Sequence, residues 1–224
     1  MTHPILVAGA TGGVGRLVVS KLLQRGQPVR IVVRDAKKAR ALFGDGLEIF
    51  SGDVRQPATL APAMDGVSVV ICAIGSRSPL GSNTPQRVDF EGVRNLAQAA
   101  AAAQVGRFIL VSSISATKPN HPFNAFGKIL TWKFEGEQAL RRCGVPYTIV
   151  RPGGLTDGQG SEKALVIDQG DRITGSISRS DVAEICIQTV NHVATLNATF
   201  EVIEGTGPAA SDWTELFQNL SPDN

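Results

Sequence analysis

This sequence has almost no net charge, few cysteines and no long apolar run. The 224 residues carry 22 Lys and Arg against 20 Asp and Glu, which gives a formal net charge of +2. A surface that neutralises nucleic-acid phosphates needs a clear basic excess. No apolar run approaches the roughly 20 residues that span a bilayer as a helix, and the sequence begins without a basic leader or a signal-peptide core. We therefore expect a cytoplasmic protein with no membrane span and no nucleic-acid partner.

The few cysteines exclude other kinds of site. Cys72, Cys143 and Cys186 are far apart, form no CxxC pair and have no histidine cluster near them. Isolated thiols in an odd number are typical of a reducing compartment. We expect buried and inert side chains, with a reactive or metal-binding cysteine as the alternative. No group of His, Cys, Asp or Glu has the spacing of a metal site, so no metal is predicted.

Short apolar runs alternate with longer amphipathic stretches along the chain. Runs rich in β-branched residues predict strands, and apolar residues three and four apart predict helices. The predicted strands cover residues 5–8, 29–33, 47–50, 67–73, 108–111, 147–150 and 200–203. The predicted helices cover residues 14–25, 36–43, 85–103 and 126–143, with a later helix capped by Asp181 and a last one opened by Ser211 or Asp212. This alternation predicts an α/β fold with a doubly wound, mostly parallel sheet.

Three glycines lie between the first predicted strand and the first predicted helix, in a G-x-x-G-x-x-G spacing. Gly9 allows a sharp turn, Gly12 lets the backbone approach a diphosphate, and Gly15 lets helix and strand pack closely. Amides at the start of that helix would then bind the phosphates. A flexible turn is the alternative, but the order of strand, glycines and helix favours a Rossmann-type dinucleotide site. The residues expected around the diphosphate are Gly9, Thr11, Gly12, Gly13, Val14 and Gly15.

The second predicted strand is followed directly by Arg34. Proteins that prefer NAD usually place Asp or Glu here, against the ribose hydroxyls. A guanidinium gains little from a hydroxyl but holds a 2′-phosphate with paired hydrogen bonds. Asp35 could still face the ribose, and a solvated surface arginine is the other alternative. NADP(H) is the expected cofactor.

Further cofactor contacts are expected at the ends of the third and fourth strands. Asp53, beside Val54, is placed to accept a hydrogen bond from the adenine amino group, with a turn-forming aspartate as the alternative. Ala73 and Gly75 are small enough to let the backbone pass close to a ribose.

One domain over residues 1–224 is expected from the length and composition. Two loops rich in Gly, Ser and Pro, residues 74–85 and 152–162, follow predicted strands. The ligand crevice of such a sheet lies at the carboxyl ends of its strands, so both loops should overhang it. We expect residues 152–180 and the C-terminus to cover the substrate side.

Several motifs resemble the atypical short-chain dehydrogenase/reductase families. Besides Arg34, they are GATGGVG, GDV at 52–54, VDFEGVRNLAQAA, FILVSS and YTIVRPGGL. The likeness is greatest for the NAD(P)H-binding branch that includes biliverdin reductase B-like and NmrA-like proteins. The stretch FGKILTWKFEGEQALRRCGVPYTIVRPGGLTD also resembles a subset common in cyanobacteria and plastids. The resemblance implies the fold and a nicotinamide cofactor but no particular substrate.

The resemblance also implies a catalytic set. In these families a serine at the end of the fifth strand polarises the substrate, and a Tyr-x-x-x-Lys pair donates a proton and orients the nicotinamide ribose. Ser112 and Ser113 match the strand end, and Lys133 matches the lysine. Ser112 and Lys133 are therefore expected to contact the cofactor. By the same likeness, the backbone of Pro152 and Gly153 should lie near the nicotinamide. A turn cap is the alternative role for Ser113, and a solvated helix residue is the alternative for Lys133.

The tyrosine of that pair is missing. Position 129 is Ile, and the one tyrosine of the chain is Tyr147, in a predicted strand. Reduction of a carbonyl needs a proton beside the developing alkoxide, whereas a flavin, quinone or other conjugated acceptor spreads the charge and can take its proton from solvent. We therefore expect an NADPH-dependent reductase of a small conjugated acceptor, with Ser113 and Lys133 as its catalytic residues. The alternative is a non-catalytic redox sensor or assembly factor that binds NADP(H) and acts through a protein partner.

Overall fold

The computed structural model describes residues 3–76, 78–125, 127–209 and 212–223. Its strands are β1 (Ile5–Ala8), β2 (Val29–Val33), β3 (Glu48–Ser51), β4 (Val69–Cys72), β5 (Arg107–Val111), β6 (Tyr147–Pro152), β7 (Gly154–Thr156), β8 (Leu165–Asp168), β9 (Ser176–Ser178) and β10 (Ala198–Glu204). Its α-helices are α1 (Gly13–Gln24), α2 (Ala36–Phe43), α3 (Ala61–Met64), α4 (Val93–Ala102), α5 (Ile129–Arg142), α6 (Arg179–Gln188) and α7 (Trp213–Phe217).

Eight of the strands form one sheet in the order β3-β2-β1-β4-β5-β6-β10-β8. Neighbours are parallel except at the edge, where β8 runs antiparallel to β10. The other two strands, β7 and β9, form a small parallel pair beside the main sheet. The order reverses between β1 and β4, which is where a doubly wound sheet opens its ligand crevice. The predicted Rossmann-type α/β fold is confirmed.

Side chains of the central strands alternate between two apolar layers, one on each face of the sheet. Val7 of β1 belongs to the layer that also holds Val18 of α1 and Val182 of α6. Leu6 belongs to the opposite layer, with Leu96 of α4. Because successive strand residues point to opposite faces, these strands must be covered on both sides. This requirement explains their nearly continuous apolar sequence.

All seven predicted strands are present, and β1, β2 and α2 have the predicted bounds. The sequence did not predict β7, β8, β9 or the single turn of α3. The helix predicted from residue 126 begins at Ile129, after Lys128 with a left-handed φ of 56°. Phe126 and Ser211 lie outside the described residues, and Asp212 caps α7 by accepting a hydrogen bond from the Thr214 amide.

The helix predicted over residues 85–103 consists of two parts. A π-helical segment, Gln86–Gly92, precedes α4. The contact with α5 is close here, because a Cβ on Gly136 would lie 2.2 Å from the Asp89 carbonyl oxygen. The predicted helix is therefore present over residues 86–102, but apolar spacing did not reveal that its first part is π-helical.

The cap of α6 also differs from the prediction. Ser178 is the N-cap, and its Oγ accepts a hydrogen bond of 2.9 Å from the Asp181 amide. The Asp181 carboxylate instead accepts hydrogen bonds from the Ser178 hydroxyl and, at 2.7 Å, from the Ser161 amide. Asp181 therefore joins the preceding loop to the helix, because it lies one turn inside the helix that it was expected to begin.

Candidate functional site

The three glycines after β1 form a turn that has no room for side chains. A Cβ on Gly9, which has a φ of +82°, would lie 2.4 Å from the carbonyl oxygen of Ala73 at the end of β4. A Cβ on Gly15 would lie 2.2 Å from the Gly9 carbonyl oxygen, which also accepts a 2.9 Å hydrogen bond from the Gly12 amide. Bare backbone is therefore required at this turn by its own packing.

The first turn of α1 presents backbone amides at the crevice. Gly12 is the N-cap and supplies no side-chain acceptor, and the first turn contains no acidic residue. Thr11 and Gly12 are half-buried, Gly13 is exposed, and Val14 and Gly15 are buried. First-turn amides, which have no acceptor within the helix, and an uncompensated helix dipole fit a diphosphate. The predicted contacts of these residues with a dinucleotide stay a prediction.

The structure assigns separate roles to the two charged residues after β2. The Arg34 guanidinium donates a 2.7 Å hydrogen bond to the Asn83 side chain, in the loop after β4. The Asp35 carboxylate accepts a 3.0 Å hydrogen bond from the Lys38 amide and caps α2. Of the two side chains that could face a ribose, Arg34 is therefore the one left at the crevice.

Asp53 is bound by a neighbour that the sequence analysis did not single out. Arg55 makes paired hydrogen bonds to its carboxylate and donates at 2.8 Å to the Ser82 carbonyl. Hydrogen bonding from Arg55 holds the pKa of Asp53 below its usual range. The adenine contact predicted for Asp53 would share an oxygen with this pair. Asn95 of α4 fixes the loop after Asp53, because its side-chain amide donates a 2.9 Å hydrogen bond to the Val54 carbonyl. The sequence did offer a signal for this ion pair, because Asp53 and Arg55 are only two residues apart.

Lys133 lies at the carboxyl ends of β4 and β5, as the resemblance implied, and its side chain is only 16% exposed. Its Nζ is 2.9 Å from Oδ1 of Asp89, whose side chain is 1% exposed. The other oxygen, Oδ2, accepts a 3.1 Å hydrogen bond from the amide of Ser76. A buried carboxylate needs such a partner. Lys133 is therefore an ion-paired residue of the crevice and not a solvated helix residue.

Asp89 is the functional candidate that the sequence analysis missed. Despite the contact with Lys133, Oδ1 makes no hydrogen bond of good geometry within the described part of the chain. It borders a cavity of about 10 Å³, close to the size of one water molecule. The signal was available, because Asp89 shares a buried helical face with Val93, Leu96 and Ala100. A charged residue on an apolar face needs an explanation.

The two serines after β5 have different surroundings. The Ser112 hydroxyl donates a 2.5 Å hydrogen bond to Glu137, which is itself fully buried and paired with Arg151 at 2.6 Å. Ser113 is half-buried, and its hydroxyl has no hydrogen-bond partner among the residues described. The Ser112 hydroxyl is thus bound to Glu137 in the core, and the cofactor contact of Ser112 and the catalytic role of Ser113 stay predictions.

The turn after Ser113 is held by Asp171. Its carboxylate accepts hydrogen bonds from the Ser115 amide at 2.6 Å and from the Thr117 hydroxyl at 2.6 Å. Its own amide donates at 2.8 Å to Glu201, the second partner of Arg151. A buried polar network therefore fixes the strand end that carries Ser113.

Gly153 follows Pro152, the last residue of β6, and its backbone is bound to the sheet. Its amide donates a 2.9 Å hydrogen bond to the Val202 carbonyl, and a Cβ there would lie 2.6 Å from the Gly175 carbonyl oxygen. Residues 154–178, which contain the β7–β9 pair, continue from this point. Their covering of a substrate stays a prediction.

The single tyrosine lies at the amino end of β6, opposite the carboxyl ends of the strands. Tyr147 begins β6, and its hydroxyl donates a 3.0 Å hydrogen bond to Asp223. Burial, followed by the charge of Asp223, raises the pKa of Tyr147 to about 12. The Tyr147 hydroxyl and the Asp223 carboxylate therefore cannot reach a substrate in the crevice at the carboxyl ends of the strands. The C-terminus was expected to cover the substrate side, but Asp223 lies at the amino ends of β6 and β10, where it also accepts from the Thr199 amide.

The remaining candidates are structural. Burial raises the pKa of both Cys72 and Cys186 to about 12, which agrees with inert thiols. No cluster of three metal-ligating side chains occurs in the described ranges. No helix in the same ranges has the length and apolar character needed to cross a membrane.

The chain is similar in sequence and in fold to proteins that bind NAD(P)H. A family model described as NAD(P)H-binding matches residues 9–193. Sanguinarine reductase of Eschscholzia californica is 32% identical over 97% of this chain and 96% of its own length. The photosystem II assembly factor Ycf39 of Trieres chinensis is 30% identical over 97% of this chain and 69% of its own. The solved structure of ChuY from Escherichia coli O157:H7, described as an anaerobillin reductase, matches with a TM-score of 0.77 and 28% identity, over 92% of this chain and all of ChuY (100%).

Proposed function

The chain belongs to the NAD(P)H-binding family, and from that membership we propose that it is an NADPH-dependent reductase of a small conjugated acceptor such as a quinone or a flavin. The membership agrees with the resemblance to atypical short-chain dehydrogenases/reductases in the sequence. Sanguinarine reductase and ChuY are named as reductases, and both match more than nine-tenths of this chain. The acceptor and the preference for NADPH are our proposals.

The observation that carries the proposal is the bare glycine turn at the start of α1, next to a strand end that carries Arg34. A Cβ on Gly9 or Gly15 would lie within 2.4 Å of a backbone oxygen, so neither position can carry a side chain, and Gly12 adds none at the N-cap of α1. Backbone amides at such a helix start bind a diphosphate, and a guanidinium after the next strand suits a 2′-phosphate. Asp35, the residue that would favour NAD, caps α2.

The bound cofactor would supply a hydride at the crevice, and the chain's own residues would position the acceptor. Lys133, held by Asp89 at 2.9 Å, would donate hydrogen bonds to the nicotinamide ribose. The Ser113 hydroxyl would donate a hydrogen bond to the acceptor. Ile129 occupies the position of the usual proton donor, so the proton would come from solvent, which suits a conjugated acceptor better than an isolated carbonyl.

A second candidate is a non-catalytic protein that binds NADP(H) to sense redox state or to assist assembly through a protein partner. Two observations favour it: the absent tyrosine at position 129 and the 30% identity to an assembly factor. The cytoplasmic location and the lack of a nucleic-acid partner stay predictions under either candidate.

The test follows NADPH absorbance with purified protein against a panel of quinones, flavins and aldehydes. We expect turnover of a quinone or flavin that Arg34→Glu lowers at least about tenfold with NADPH and leaves unchanged with NADH, because only NADPH carries the 2′-phosphate. Arg142→Glu, the same charge change at an exposed position of α5, is the control. Tight NADPH binding without reduction of any acceptor, together with a stable protein partner, would favour the second candidate. Failure to bind NADPH or NADP+ would exclude both.

A further inference from the structure

Arg179, the first residue of α6, lies over the glycine turn of α1. A Cβ on Gly13 would lie 2.8 Å from Cδ and 2.9 Å from Nε of Arg179, so the arginine side chain occupies the space above that glycine. The two helices are joined farther along as well, because Glu184 pairs with Arg25 at 2.7 Å and with Lys21 at 3.3 Å. Arg179 is therefore held beside the first turn of α1 by the packing of two helices.

The guanidinium of Arg179 has a weakly held partner. Its Nη1 donates a 2.7 Å hydrogen bond to Asp157, whose side chain is 91% exposed, while that of Arg179 is 29% exposed. Ion pairs between exposed charges contribute little net free energy. Arg179 can therefore exchange this carboxylate for a stronger anion at small cost.

We propose that Arg179 binds the diphosphate of the bound dinucleotide and releases Asp157 when it does so. A diphosphate carries two negative charges and offers several acceptor oxygens, whereas Asp157 offers one exposed carboxylate. The amides at the start of α1 fix the position of the diphosphate, and Arg179 stands beside the first of them. The inference depends on the proposed binding of NADPH but not on reductase activity.

Release of Asp157 also affects the segment that is predicted to cover the substrate. The same first turn of α6 holds that segment a second time, through the 2.7 Å hydrogen bond from the Ser161 amide to Asp181. Cofactor binding would remove the contact at Asp157 and keep the one at Ser161. Arg179 therefore connects the diphosphate to the substrate side of the crevice.

The test measures dissociation constants by calorimetry for two ligands, NADPH and adenosine 2′-monophosphate, which lacks the diphosphate. Arg179→Ala should weaken NADPH binding about tenfold and leave adenosine 2′-monophosphate within twofold, since it removes charged hydrogen bonds to the diphosphate only. Arg34→Ala should weaken both ligands. Arg172→Ala is the matched control, because Arg172 is also paired with one aspartate, Asp168, and is 71% exposed; it should change neither constant.

A second pair of variants separates binding from support of the fold. Asp157→Asn should strengthen NADPH binding, by up to about fivefold, because it removes the competing carboxylate. Arg179→Gln keeps most of the packing over Gly13 and should lose as much NADPH affinity as Arg179→Ala. Equal weakening of both ligands by Arg179→Ala, or unchanged NADPH affinity in Arg179→Gln, would overturn the inference while leaving the reductase proposal intact. A wild-type protein that binds no NADPH would overturn both.

Discussion

Gly9 is constrained by the backbone around it more than by any side chain. Its φ of +82° lies in the left-handed region, and the carbonyl of Ala73 occupies the space that a Cβ would need. A backbone oxygen cannot rotate away as a side chain can, so the strand ends of β1 and β4 would have to separate. The same separation would disturb the amides of α1.

We therefore expect Gly9→Ala to lower the free energy of unfolding by about 3 kcal/mol, from left-handed strain and overpacking together, and to abolish detectable NADPH binding. Urea denaturation and calorimetry measure the two effects. Gly26→Ala is the control, because Gly26 also has a left-handed φ, +66°, but no atom lies within 4 Å of its Cβ position. It should lose only about 1 kcal/mol and bind NADPH normally. Equal losses for the two variants would refute the role of the Ala73 contact.

Single residues also mark where sequence reasoning reached its limit. The position of Arg34 after a strand was readable because strand ends are local features of the sequence. Its contact with Asn83 and the pairing of Lys133 with Asp89 were not, because these partners lie on other elements. Asp89 could be recognised as unusual on a buried face, but its partner could not be named without the packing of α5.

At the scale of elements, the π-helical segment and α5 fit together through one small residue. A Cβ on Gly136 would lie 2.2 Å from the Asp89 carbonyl oxygen and 3.4 Å from Val93. Glycine at this position allows the two helical elements to approach closely enough for Lys133 to reach Asp89. Glycine lowers the helix propensity of α5 at position 136, but it allows α5 to contact the π-helical segment.

We expect Gly136→Ala to destabilise the protein by at least about 2 kcal/mol, although alanine favours a helix over glycine by about 1 kcal/mol. The methyl group must push α5 away from Asp89. Thermal and urea unfolding measure the loss. Arg142→Ala, at an exposed position of the same helix, should change stability by no more than about 0.5 kcal/mol. A more stable Gly136→Ala variant would mean that the gap between the elements widens at no cost.

At the scale of the whole molecule, buried charges connect the crevice with the C-terminus. Arg141 contacts Glu137 at 3.4 Å, on the side away from Ser112, and pairs with Asp223 at 3.0 Å. Although burial alone would raise the pKa of Asp223, hydrogen bonds from Thr199 and Arg141 outweigh it and hold that pKa below its usual range. Asp223 is thereby held against α5 and the start of β10.

The lowered pKa of Asp223 predicts a loss of stability in acid. A carboxyl group with a lowered pKa stabilises the fold above its unfolded pKa, about 3.9 for Asp, and loses this effect as pH falls through the folded value. Asp223→Asn should be less stable than wild type by about 2 kcal/mol at pH 7, and the gap should narrow below about pH 4. Urea unfolding at several pH values tests this.

The control for this experiment is Asp45→Asn, because the Asp45 side chain is 92% exposed. This variant should have the same free energy of unfolding as wild type at every pH. Glu201 has the opposite sign: burial raises its pKa, so its contribution is present in acid and is lost as pH rises through the folded value. It therefore cannot produce the acid loss. If the difference in free energy of unfolding between wild type and Asp223→Asn stayed constant down to low pH, the charge of Asp223 would not be what stabilises the C-terminus.

The sequence by itself determined the fold class, most strand positions, the glycine turn and the place of Arg34. These features depend on local spacing and on the backbone freedom of single residues, which are written along the chain. The number of strands in the sheet and the β7–β9 pair were not determined in this way, because segments rich in Gly and Ser have no strong periodicity.

Only the tertiary structure decided which charged groups meet. The contacts of Arg55 with the Ser82 carbonyl, of Lys133 with Asp89, and of Arg179 with Gly13 all depend on which elements lie side by side. The order of the sheet and the packing of α6 on α1 bring together residues that are far apart in the sequence. No local pattern encodes such a meeting, because the partners are chosen by the burial of apolar faces on the same two layers.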